Sequence, residues 1–103
     1  MNTTEVKDSM DQKVAAFKQE WSQKMDNLND QIDEEERKVN DATGKNKKKL
    51  KRKINSLKKD RDQLKQKIDE AGDQTEAQWN SFKSNIDTRY QKLKGNINDL
   101  LKD

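Results

Sequence analysis

The sequence predicts an all-α chain, an antiparallel helical hairpin of coiled-coil type whose second helix is long and self-associating. Three observations carry that expectation. Large apolar residues recur every three or four positions along almost all of the 103 residues, the spacing that places them on one side of a helix. The chain contains no proline and only three glycines, and 42% of it is charged, which suits long solvated helices. One polar segment, "NDATGKN", interrupts the apolar stripe and supplies a turn.

The first helix is expected over residues 3–41. Its large apolar residues are Val6, Met10, Val14, Phe17, Trp21, Met25, Leu28, Ile32 and Val39, and they fall into an eleven-residue repeat. Val6, Phe17, Leu28 and Val39 share one phase, and Met10, Trp21 and Ile32 share a second. Eleven residues in three turns keep the stripe nearly straight along the helix, unlike a heptad seam. Glu36 is the one position that breaks the pattern. Asn2 with Glu5 forms a candidate N-cap pair.

The turn is expected at residues 42–46, with Gly44 suited to a left-handed helix end. A second helix is expected over residues 46–102. Leu50, Ile54, Leu57, Leu64 and Ile68 form its first stripe, and Arg61 stands where another apolar residue would fall. The stripe thins at Ala71 and Thr75 and returns as Trp79, Phe82, Ile86, Tyr90, Leu93, Ile97 and Leu101 in the same phase. That continuity favours one helix, kinked at most. The alternative is a three-helix bundle broken at Gly72, with the break falling in residues 71–74 and Asp73 and Glu76 forming a new capping box.

Counted outward from Gly44, a hairpin brings Val14 and Phe17 against Ala71 and Thr75, and the acidic residues 33–36 against the basic residues 51–53. Each charged run opposes the dipole of its own helix, so facing runs would compensate each other. A first helix of this length covers the second only to about residue 85. The apolar residues beyond would then lack an intrachain partner, at roughly 1.5 to 3 kcal/mol for each large side chain left in water. Trp79, Phe82, Ile86, Tyr90, Leu93, Ile97 and Leu101 are therefore the expected self-association surface, with a homodimer favoured.

Composition narrows the function classes. Leu, Ile, Val and Phe together number 17 of 103, low for a globular chain, yet the net charge is only +3. There is no cysteine and no histidine, which removes disulfides, ordinary zinc sites, thiol nucleophiles and the usual general base. The expectation is a non-enzymatic structural or interaction protein with no cofactor, no metal site and no small-molecule substrate. The start of the chain lacks a basic segment followed by an apolar run, so a signal peptide is not expected, and a cytoplasmic location is the default. "ATGKN" is a poor match to a phosphate-binding loop, because the upstream glycine is absent and Asn46 replaces the required hydroxyl residue.

One cluster does suggest a ligand. Lys45, Lys47, Lys48, Lys49, Lys51, Arg52 and Lys53 could neutralise phosphates, so the alternative function is a polyanion-binding helical module for nucleic acid or anionic membrane. No aromatic residue lies between Trp21 and Trp79, which argues against base stacking beside this run. A narrow apolar stripe of packing residues also suits partner helices better than a lipid surface.

The stretch "AQWNSFKSNIDTRYQKLKGNI" resembles the C-terminal signature of small bacterial coiled-coil proteins associated with stress responses. There a tryptophan followed by a Leu-Lys pair recurs after a charged hairpin, as Trp79, Phe82-Lys83, Tyr90 and Leu93-Lys94 do here. Trp21 in the first helix and the step Ala71-Gly72-Asp73 fit the same layout, while Phe82 and Tyr90 stand where Leu and Trp are usual. The resemblance implies a cytoplasmic, non-enzymatic, stress-associated role and transfers no catalytic residue.

Overall fold

A computed structural model describes residues 3–42, 44 and 46–101, with side chains from Met10 onward. Three α-helices form an elongated bundle of 66 × 19 × 16 Å. Helix α1 spans Thr3–Asp41, α2 spans Asn46–Asp69, and α3 spans Glu76–Asp99. A short 3-10 turn, Glu70–Asp73, separates α2 from α3.

The hairpin with one long second helix is thus corrected to a three-helix bundle, and neither the hairpin nor the coiled-coil description holds. The chain stops at residues 70–75 because local bonds end one helix and begin the next. The Gln74 backbone N–H donates to the Ala71 carbonyl, and the Gln74 side-chain amide donates to the Glu70 carbonyl at 3.1 Å. Thr75 then caps α3 with extended backbone: its hydroxyl accepts from the Gln78 backbone N–H at 3.2 Å. Gln78 Oε1 accepts in return from the Thr75 backbone N–H at 3.1 Å, completing a capping box. The box is two residues downstream of the expected Asp73 and Glu76 pair, and Gly72 does not adopt positive φ.

The break lets α3 fold back antiparallel to α2 and parallel to α1. Phe17 packs on Trp79 (ring centroids 5.3 Å apart) and Phe82 (5.5 Å), and Trp21 meets Tyr90 edge-on at 5.1 Å. Such pairs add about 0.5 to 1.5 kcal/mol each beyond the area they bury. Lys24 lays its stem across the cluster, with Nζ 4.4 Å from the Trp21 ring and 3.4 Å from Glu20. This arrangement covers the residues expected to self-associate. Trp79, Phe82, Ile86, Tyr90, Leu93 and Ile97 are all buried within one chain, so their burial does not require a second copy. Leu101 alone of that set is exposed, at 41%, while its neighbour Leu100 is buried.

The eleven-residue stripe of α1 becomes the core seam through Phe17, Trp21, Met25, Leu28, Ile32 and Val39, with Met10 and Val14 packed at its edge. Helix α1 has 39 residues against 24 in each of α2 and α3. At about 1.5 Å per residue, its N-terminal turns therefore run past the second corner. Val6 and Asn2 lie outside the described side chains. At the first corner Gly44 has φ +101°, the left-handed conformation a side chain resists.

Candidate polyanion interface

Helix α2 opens with a segment in which every charge is positive. Its first turn carries no acidic residue, and between Asn46 and Lys59 eight basic residues occur before the first acid, Asp60. Leu50, Ile54 and Leu57 point inward, Leu50 partly buried and the other two fully. Helical spacing then deals the cations onto the three remaining faces. Lys51 and Lys58 lie toward α1, Lys49, Arg52 and Lys53 lie toward α3, and Lys48 and Lys59 are exposed.

The grooves between helices agree with that division. Lys51 joins Glu36, Val39 and Asn40 around a shallow groove of about 180 Å³ between α1 and α2. Lys49, Arg52, Lys53 and Asp60 line a larger groove of about 520 Å³ between α2 and α3, opposite Asn96 and Asp99, so it too carries both signs. A third groove, about 760 Å³, lies further along α2 and α3 and is lined by charges of both signs, including Asp60, Lys67, Glu70 and Arg89.

Among the described residues the expected lock between acidic and basic runs is reduced to one cross-helix pair. Lys58 Nζ sits 2.6 Å from Glu36 Oε2, with both side chains about one-third exposed. Glu34 and Glu35 instead engage Lys38 on their own helix, at 3.9 and 3.3 Å. Glu36, the residue that breaks the apolar stripe of α1, is thus the one that reaches across, and it reaches one to two turns beyond residues 51–54. Arg61, the corresponding exception on α2, turns to Asp62 at 3.1 Å.

Lys47, Lys48, Lys49, Lys51, Arg52 and Lys53 consequently make no ion pair among the described residues. Lys45, the seventh residue of the expected set, lies outside the described residues. Cations in the first turns of a helix oppose its dipole, and like charges four residues apart repel, so this cluster carries unrelieved electrostatic cost that a bound anion would offset. All five aromatic residues are buried in the core, and none stands beside the cluster.

Asn96, Asp99 and Leu100 were not foreseen as part of this region. A hairpin sends the end of the second helix away from its start, and only a third helix brings residues 96–100 back beside Lys49 and Arg52. Among the described residues no group of three Asp, Glu, His or Cys side chains could hold a metal ion, and no helix is long and apolar enough to cross a membrane.

No family model matches this chain, and no curated protein or solved structure matches it either.

Proposed function

We propose that this chain is a small polyanion-binding module that acts by binding rather than catalysis, in the cytoplasm, through the cationic first half of α2. The carrying observation is the set Lys47, Lys48, Lys49, Lys51, Arg52 and Lys53, six cations on one rigid helix with no ion pair among the described residues. A solvated surface helix ordinarily interleaves both signs, as α1 does with Glu20 and Lys24 or Glu34 and Lys38. Concentrating one sign beside a helix N-terminus sacrifices stability and raises affinity for phosphate-rich partners.

Titration of fluorescent DNA, RNA and anionic vesicles at several salt concentrations tests this reading. Binding should weaken steeply as salt rises and vanish when all six residues are replaced by Gln. A chain that binds none of the three at low salt, or a six-residue variant that binds as well as the parent, overturns it.

A further inference from the structure

Resting on that reading, we infer that α2 is a recognition helix for the major groove of duplex DNA, inserted crest first with Lys48, Arg52, Asn55 and Lys59 toward the base edges.

The distribution of polar residues around α2 carries the inference. Lys48, Arg52, Asn55 and Lys59 follow one another at intervals of four, three and four residues, which stacks them on one face. All four are exposed, and Leu57 on the opposite side is buried. Lys51 stands on the α1 flank of this crest, and Lys49 and Lys53 stand on the α3 flank. Lys58 is not counted, because its amine is already held by Glu36. A flat surface touches a helix along one face, whereas cations on a crest and on both flanks match a trough walled by phosphates. The major groove of B-form DNA is such a trough, about 12 Å wide, and an α-helix with its side chains is about 10 to 12 Å across.

Charge and residue type both favour entry by the crest. Carboxylates border the two flanks, Glu36 on one side and Asp60 and Asp99 on the other. The crest carries none from Lys48 to Lys59, a rise of roughly 16 Å, and ends where Asp62 follows on the same face. Arg and Lys donate to guanine O6 and N7, and Asn pairs with adenine N6 and N7. Asn55 is the uncharged residue of the crest, and its amide makes no hydrogen bond among the described residues.

Other polyanions fit less well. Single strands call for aromatic platforms, and all five rings are consumed by the core. A helix lying on a membrane buries an apolar face among headgroups, whereas Leu50, Ile54 and Leu57 are turned into the bundle. The major groove of an RNA duplex is too deep and narrow for side chains to read.

The test is enrichment of the chain's preferred sequence from a pool of random DNA duplexes, followed by titration of that duplex and an unrelated one. The unaltered chain should enrich a common short site and prefer it. Arg52→Ala and Asn55→Ala, with helicity checked by circular dichroism, should each cut that preference by about five- to hundredfold. Lys49→Gln combined with Lys53→Gln should weaken both duplexes alike and lower the slope of log affinity against log salt by about 1.8, the share of two phosphate contacts. Enrichment of no common sequence, or a preference left unchanged by either alanine variant, overturns the major-groove assignment while the polyanion reading stands. Single strands, RNA duplexes or anionic vesicles binding as tightly as the DNA duplex overturn the choice of partner. Failure of the unaltered chain to bind any polyanion removes both.

Discussion

The two ends of the bundle are built on different principles. Around the second corner, Phe17, Trp21, Trp79, Phe82 and Tyr90 interlock, and the turn is held by backbone bonds together with a reciprocal capping box. Around the first corner the core is aliphatic, built from Val39, Ile54, Leu57, Ile97 and Leu100, and the described turn residues carry a left-handed Gly44 and backbone bonds from Ala42 to Val39 and from Lys47 to Gly44, with no capping box among them. The cations of residues 47–53, which make no ion pair among the described residues, belong to this second kind of end.

Substitutions that strike one end at a time test that contrast. Trp21→Ala, which removes the ring between Phe17 and Tyr90, should lower unfolding free energy by about 3 to 5 kcal/mol in urea titrations. A loss below about 1 kcal/mol would show that the aromatic end does not dominate stability. Glycine substitutions should then act with opposite signs at the two corners. Gly44→Ala places a side chain at φ +101° and should cost about 1 to 2 kcal/mol, although nothing lies within 4 Å of the added carbon. Gly72→Ala meets neither positive φ nor a neighbour within 4 Å, and should stabilise by about 0.4 to 1 kcal/mol.

Thr75→Ala removes the hydroxyl half of the capping box and should cost about 1 kcal/mol, with Thr75→Ser close to the parent in thermal unfolding. The smallest effect is expected at the charged end. Glu36→Gln breaks the cross-helix pair with Lys58, yet both side chains are about one-third exposed, so the loss should stay within about 0 to 1 kcal/mol and shrink with salt. A larger, salt-insensitive loss would mean that the acidic and basic runs do lock the first corner.

Much of the helical content was legible in the residues. The spacing of Phe17, Trp21, Leu28, Ile32 and Val39 marks one long amphipathic helix, and the polar segment around Gly44 marks its end. The second break was harder to read because the apolar stripe keeps its phase across Ala71 and Thr75. A phase that continues is compatible with a continuous helix and equally with two helices that present the same face to a common core. What distinguishes them is the demand for cover: Ile86, Tyr90, Leu93 and Ile97 cannot stay in water, and folding back satisfies them within the chain. The basic cluster was also plain in the sequence. Its release from the acidic run was not, because the register between α1 and α2 decides which carboxylate meets which lysine.

By itself, then, the sequence determined where the helices run, which face of each is apolar, and that one stretch of α2 carries cations alone. Those properties follow from residue type and spacing at short range. Only the tertiary structure decided that the chain turns at Thr75, that α3 covers the aromatic stripe, and that Asn96 and Asp99 stand across a groove from Lys49, Arg52 and Lys53. The turn is held by local bonds at residues 70–78, but the covering of the aromatic stripe and the groove depend on contacts between residues far apart in the chain. Such contacts are chosen by the competition to bury the same apolar surface, and local spacing does not encode the outcome of that competition.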